Sequence, residues 1–207
     1  MSAKDKKLLV GVDFGATKIL AAVFSPKLKL LGQEKKKTEA DQGVGGTIRK
    51  IAKAIREALI EADSRLEDVA AIGIGAPAPV DPKKGLIIDA PNLGWKNVPL
   101  RDELEKVLKV PVFVENDVNV GTLGVQQCGA ARGARSVVGI FVGTGVGGGI
   151  VLDGEIFSGA GHMAGEIGHM IVDPSSRHKE ATGMAGTLEA LASRLSINRQ
   201  IRQAVSR

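Results

Sequence analysis

The fold of this chain is decided at Val112-Phe113-Val114-Glu115-Asn116-Asp117-Val118-Asn119. The apolar run from Pro111 to Val114 predicts a short buried strand, and Val120-Gly121-Thr122-Leu123 predicts the first turns of a helix reaching to about Cys128. Between them lies an acidic and amide cluster. In an open α/β sheet, ligands bind just beyond the carboxyl ends of the strands, which is where Asn116 and Asp117 fall. Asp117 has the chemistry to take a proton from a substrate hydroxyl, and Asn116 offers both a donor and an acceptor. The same residues also suit a plain helix cap, accepting hydrogen bonds from the first free amides. The octapeptide alone leaves both readings open.

The flanking chain supports an α/β fold. Of 207 residues, 43% are hydrophobic, enough for one large domain or two small ones. Glycines number 27, aromatics make up 3%, and tyrosine is absent. Tight turns and loops close to a ligand suit that composition; a stacking platform for single-stranded nucleic acid does not. The net charge of +5 is compatible with an anionic substrate. The lysine clusters at Lys4, Lys6 and Lys7 and at Lys35 to Lys37 read as solvated segment ends. Cys128 is the one cysteine, which excludes an internal disulfide and a thiolate metal cage and fits a reducing, cytoplasmic setting. Asp13 interrupts the first apolar run too early for a signal peptide, and no run has membrane-spanning length.

Upstream, Leu8–Val12 and Ile19–Phe24 flank Asp13-Phe14-Gly15-Ala16-Thr17-Lys18, a pattern that predicts a β-hairpin. Gly15 permits close approach, and the turn amides with the Thr17 hydroxyl suit a phosphate. Asp13 suits magnesium, and Lys18 suits phosphate charge. A third strand is expected over Leu28–Gln33, then a loop at Gly43, Gly45 and Gly46. Apolar residues at helical spacing from Ile48 to Ile60 predict an amphipathic helix over Thr47–Ala62. A buried strand is expected at Val69–Ala76, leaving through a stiff loop at Pro77 and Pro79. In the loop Asp89–Trp95, Asn92 is either a ligand donor or a turn residue, and Trp95 either a ligand floor or a core plug. Pro99 introduces a short helix over Leu100–Leu108.

Downstream, a strand is expected over Ser136–Val142, then Gly143-Thr144-Gly145-Val146-Gly147-Gly148-Gly149 and a second strand to Leu152 with an Asp153-Gly154 turn. Five glycines in seven residues cost backbone entropy, and a phosphate-bearing ligand is the natural reason for them. The strand–turn–strand setting excludes a P-loop and a dinucleotide fingerprint. Glu166 and His169 lie three apart around a tight turn, within reach of one ligand. A strand is expected over His169–Val172, and a final helix from Gly186 onward with a break near Ser196.

Taken in order, Asp13–Lys18, Asn92-Leu93-Gly94-Trp95, Glu115-Asn116-Asp117, Gly143–Gly149 and Gly165-Glu166-Ile167-Gly168-His169-Met170 resemble the ROK family of bacterial sugar kinases and sugar-responsive repressors. The resemblance implies an actin-like (ribonuclease H-like) ATPase fold of two lobes around a cleft. Residues 1–118 would form the first lobe, and residues 119–207 an incomplete second lobe. It implies ATP-dependent phosphorylation of a hexose, glucose above others, with ATP and Mg2+ and with Asp117 as the general base. It makes Asn92, Asn116, Asp117, Glu166, His169 and Glu189 sugar ligands. Asp13, Gly15, Thr17 and Lys18, with Gly143, Thr144, Gly145 and Gly147, become the two ATP and phosphate clamps. It further implies a homo-oligomer, dimer or tetramer, with no nucleic-acid or membrane partner. The alternative within the same family is a catalytically impaired sugar-binding remnant or a sugar-responsive regulator. Repressors carry a DNA-binding helical module ahead of this body, and with a first strand expected from Leu8 none is expected here. Family kinases also carry a cysteine-rich zinc loop between the Gly-His strand and the Leu-Glu-Ala helix. Here Glu180, Thr182 and Thr187 stand where thiolates would be, so zinc is not expected.

Overall fold

A computed structural model describes residues 7–180 and 182–206. Lys4 and Lys6 lie outside the described residues. The chain divides into two compact units, Met1–Asp117 and Val118–Arg207.

In the first unit, β1 (Leu8–Phe14) and β2 (Lys18–Phe24) form the expected antiparallel hairpin, with Phe14 opposite Ile19. Alternation sends Leu8, Val10, Val12 and Phe14 of β1, and Ile19, Ala21 and Val23 of β2, into the core. β3 (Leu30–Lys37) pairs with β2 as the outer strand. It starts at Leu30 rather than Leu28, because Leu28 (φ 58°) closes a turn from Ser25 to Lys29. It also runs past Gln33 to Lys37. On an outer strand Lys35 and Lys37 reach solvent while their backbone pairs with β2, so the charge does not end the strand.

α1 (Gly43–Glu61) packs against β1, β2 and β3 and buries Ile48, Ile51, Ala52, Ile55 and Leu59. It begins at Gly43, not Thr47. The glycines expected in a loop make its first turn, because tertiary packing overrides their low propensity. Gly46 is buried, and a Cβ there would sit 2.5 Å from the Gln42 side chain. Lys36 ties β3 to this helix by pairing with Glu34 (3.2 Å) and with Glu57. The hydrogen bond from Lys36 is the main cause holding the Glu57 carboxyl below its ordinary value of 4.5, and the same bond raises the Lys36 ammonium. A depressed carboxyl stabilises the fold above its unfolded value and loses that contribution as the pH falls through the folded one. Glu57→Gln should therefore melt slightly below the wild type at pH 7 and match it well below pH 4.5, as read by thermal unfolding at both pH values.

β4 (Val69–Ala76) forms as expected and runs parallel to β1. The next segment holds elements the sequence reading missed. β5 (Val80–Asp81), β6 (Leu86–Ala90) and β7 (Trp95–Val98) make a small antiparallel sheet, ordered β5-β6-β7. Its inner side chains, Val80, Ile87, Ala90, Trp95 and Val98, are buried. Trp95 meets Phe14 with ring centroids 5.4 Å apart, so it plugs the core of this unit. α2 (Leu100–Leu108) buries Leu100, Leu104 and Leu108 along one stripe. β8 (Val112–Asn116) then runs parallel to β4 and completes a sheet of order β3-β2-β1-β4-β8. Glu115 and Asn116 belong to this strand rather than to the loop after it.

α3 (Asp117–Cys128) starts at the residue after β8 and ends where expected. In the second unit, β9 (Val137–Val142), β10 (Val146–Leu152) and β11 (Glu155–Ile156) form an antiparallel sheet of order β11-β10-β9. Asp153 (φ 51°) and Gly154 (φ 87°) make the tight turn before β11, as expected. No strand forms over residues 169–172. Ile167–His169 is instead a 3-10 turn, followed by one bridge between Ile171 and Thr187. Gly165 (φ 91°) bends the chain before this turn. α4 (Leu188–Ala192) and α5 (Arg194–Val205) are separated at Ser193 rather than near Ser196. Ser193 is extended, and its hydroxyl caps α5 by accepting from the Ser196 amide. Among the described residues no helix is long and apolar enough to cross a membrane.

Candidate active site

In the first unit the parallel strands β1, β4 and β8 are in register, with Asp13 beside Gly75 and Gly75 beside Glu115. Their carboxyl ends therefore open on one edge of the sheet, where ligands of α/β folds bind. The Gly15–Thr17 turn, the Pro77–Pro79 loop and Asn116-Asp117 all leave from that edge. Neighbouring strands lie about 4.8 Å apart, so Asp13 and Glu115 are separated by roughly 10 Å across two strand spacings.

The first hairpin turn is closed by its own backbone: the Gly15 amide donates to the Lys18 carbonyl at 2.8 Å. Thr38 braces it. The buried Thr38 hydroxyl donates to Gly15 O at 2.6 Å, and the Thr38 amide donates to Thr17 O at 3.1 Å. The sequence reading missed Thr38, which follows a lysine run with no motif of its own. Asp13 and Lys18 form an ion pair at 2.9 Å, with 46% and 49% of their side chains exposed. A pair that open is worth about 0–1 kcal/mol, so it does not bar either group from a ligand.

Asn116 ends β8, and its amide donates to Ala78 O at 3.3 Å, which ties it to the proline loop. Asp117 is the first residue of α3, where a negative charge is favoured by the helix dipole. That position serves the helix and the proposed base equally. Asn92 is exposed in a 3-10 turn, Pro91–Leu93, ended by Gly94 at φ 65°. Trp95 is in the core, so it resolves as the plug.

In the second unit the Gly143–Gly145 turn joins β9 to β10, the strand–turn–strand setting expected, and Gly143 N donates to Gly145 O at 2.8 Å. The glycines of β10 have a reason inside the protein. A Cβ on Gly147 would lie 2.6 Å from Val118, one on Gly148 2.3 Å from Gly165 O, and one on Gly149 2.3 Å from the Thr122 hydroxyl. These residues let α3 and the 159–168 loop sit flush on β10. Around Gly143 the space is open. Glu189 reaches this turn and accepts from the Val146 amide at 2.9 Å. Arg194, which the sequence reading did not single out, donates from its backbone to Gly143 O at 3.0 Å and from its guanidinium to the exposed Thr144 hydroxyl at 3.3 Å. The 3-10 turn Ile167–His169 brings Glu166 and His169 together, with Nε2 3.7 Å from Glu166 Oε2. His169 Nδ1 lies 2.9 Å from Glu180 Oε1.

The donor set does not fit a structural zinc. Such a site wants four ligands, usually thiolates with histidine, and no cysteine lies between residues 169 and 189. Among the described residues no group of three or more His, Cys, Asp and Glu is placed to hold a metal ion.

These elements are those of known proteins. The ROK family model matches residues 9–207. A glucokinase of Halalkalibacterium halodurans is 39% identical over 190 residues, 92% of this chain and 58% of that protein. A glucokinase of Thermotoga maritima is 37% identical over 199 residues, covering 96% and 61%. The crystal structure of a ROK family glucokinase from Streptomyces griseus, in complex with glucose and AMPPNP, superposes with a TM-score of 0.83 at 34% identity, covering 96% of this chain and 61% of that one. The chain thus spans about three fifths of the length of these two glucokinases. With a model match over nearly its whole length, the chain belongs to the ROK family.

Proposed function

We propose that this chain carries the catalytic residues of an ATP-dependent hexose kinase, glucokinase-like, that moves the γ-phosphate of ATP to the primary hydroxyl of a hexose, glucose first. The observation that carries this reading is the shared carboxyl edge of β1, β4 and β8, from which the Asp13–Lys18 hairpin and the Asn116-Asp117 pair both leave. The similarity to glucokinases supports it, as does the actin-like, ribonuclease H-like fold that family membership implies.

Asp117 accepts the hydroxyl proton as the sugar oxygen attacks the γ-phosphorus; a new P–O bond forms, the bond to the ADP oxygen breaks, and ADP leaves with its electron pair. Asn92, Asn116, Glu166, His169 and Glu189 read the sugar hydroxyls. Gly15, Thr17 and Lys18 hold phosphate oxygens in the first unit, and Gly143, Thr144, Gly145 and Gly147 do so in the second. Phosphoryl transfer is mostly positioning and charge stabilisation, which such turns and a lysine supply. Asp13 presents an accessible carboxylate, the hard oxygen donor that magnesium takes, and would hold that ion. Magnesium supplies neutralisation of the charge on the phosphate oxygens. In this reading the protein acts as a homo-oligomer.

The regiochemistry tests it. With ATP and Mg2+, glucose should give a sugar phosphate monoester on its primary hydroxyl by 31P NMR, and 6-deoxyglucose should give none. Equal ATP consumption with both sugars would sink the reading.

A further inference from the structure

Residues 170–180 and 182–187 make a closed set of turns beside His169. The Val172 and Asp173 amides donate to Gly186 O at 2.9 and 3.1 Å, and Gly186 N donates to His178 O at 3.0 Å. Inside it, Lys179 bridges Ala185, the Glu180 amide donates to Met184 O at 3.0 Å, and Gly183 N donates to Glu180 O at 3.0 Å. This small hairpin turns the Glu180 side chain inward until 0% of it is exposed. Its Oε1 lies 2.9 Å from His169 Nδ1 and accepts from the Thr182 hydroxyl at 2.7 Å. Its Oε2 is buried without a hydrogen-bond partner.

A carboxylate buried with one oxygen unsatisfied costs stability, so packing alone gives no reason for glutamate here. The chemistry gives one. A carboxylate offers only acceptors, so the hydrogen shared with the ring sits on Nδ1. In the neutral ring that leaves a lone pair on Nε2, the atom turned toward Glu166. Residues that bond the far nitrogen of a functional histidine fix both its tautomer and its orientation.

We propose that Glu180, steadied by Thr182, is a positioning residue that holds His169 as its Nδ1–H tautomer and aims Nε2 at a hydroxyl of the hexose. This rests on the reading of His169 as a sugar ligand. The Glu180–His169 couple does by a hydrogen bond, without metal, what a histidine ligand bond to an ion would otherwise do.

The test combines long-range 1H–15N spectra of the His169 ring with steady-state kinetics on wild type, Glu180→Ala and Glu180→Gln. The wild-type ring should be the Nδ1–H tautomer. Glu180→Ala should release it to a mixture and raise KM for the hexose by about tenfold or more, with KM for ATP and kcat little changed. Glu180→Gln keeps the shape, but its side-chain amide can accept from Nδ1–H or donate to a bare Nδ1. The ring should therefore loosen toward a mixture, and the hexose KM should rise by less than in Glu180→Ala. If Glu180→Ala melts early, a ring and a hexose KM both unchanged in Glu180→Gln overturn the role. An Nε2–H ring in the wild type, or a hexose KM indifferent to Glu180→Ala in an active enzyme, overturns the positioning role alone. A tautomer that follows Glu180 in a protein that neither binds nor phosphorylates any hexose overturns the kinase reading and, with it, the role proposed for the couple.

Discussion

Asp117→Asn is expected to fold as the wild type does and to lose turnover. Asparagine has the same shape and is equally accepted at a helix start, so the change removes little beyond one charge beside the α3 amides. That charge is worth about 0.3–1 kcal/mol to the helix. Its loss as a proton acceptor is far larger: general-base catalysis contributes about 100- to 10,000-fold. The expected result is a kcat lower by at least about 100-fold, with KM for hexose and for ATP changed much less. The contrast separates the two readings of this residue. If Asp117 only capped the helix, asparagine would serve as well, and both thermal unfolding and kcat, measured on folded protein, would stay near the wild type.

The second large effect is expected at Gly168. It is buried in the 3-10 turn that carries His169, and a Cβ there would lie 2.0 Å from the Val146 carbonyl oxygen of β10. Backbone on both sides leaves no side chain to swing away. Gly168→Ala must therefore push the turn off β10, at about 1–3 kcal/mol for an overpacked position. In a chain of this size that is roughly a 5 °C fall in melting temperature. His169 moves with the turn, so hexose affinity should fall with stability. Gly145→Ala is the control. Its Cβ would meet the Glu189 carboxylate at 2.3 Å, the far end of a flexible side chain, so the fold should lose little while Glu189 leaves the Val146 amide. Equal melting temperatures for Gly168→Ala and the wild type would contradict this packing account.

The parts of the fold that were legible in the sequence are those written in local patterns. The β1–β2 hairpin follows from two apolar runs across a short Asp/Gly/Thr turn, and α2 from leucines at positions 100, 104 and 108. The β8–α3 junction was legible too, though β8 keeps Glu115 and Asn116 that the apolar run alone leaves out. What was not legible depends on distant partners. β5 and β7 are too short to show alternation, and they exist because Trp95 finds Phe14 some eighty positions away. Gly46 lies in a helix rather than a loop because it is buried in the first turns of α1, against its propensity.

The glycines of residues 143–149 suggested a ligand, but three of them have a cause inside the protein. At Gly147, Gly148 and Gly149 the close approach is by α3 and the 159–168 loop, and the open space is confined to Gly143. Composition cannot tell a ligand from a neighbouring backbone, since both exclude a Cβ. The site shows the same limit. Asp13, Asn116 and Asp117 were placed by strand ends, whereas Thr38 under the first turn and Arg194 on the second were invisible without long-range contacts. Glu180 stood out only as a residue in a thiolate's place. Its hydrogen bond to His169 needed the long-range pairing of Lys179 with Ala185.

The most direct test of the central claim is ADP release by the wild type and by Asp117→Asn across a panel of hexoses, at saturating ATP and Mg2+, with both proteins shown folded by circular dichroism. The account predicts sugar-dependent ADP release by the wild type, strongest with glucose or a near relative of it, and its loss in Asp117→Asn. A folded wild type that releases ADP no faster with any hexose than without one, or no faster than Asp117→Asn, would contradict it.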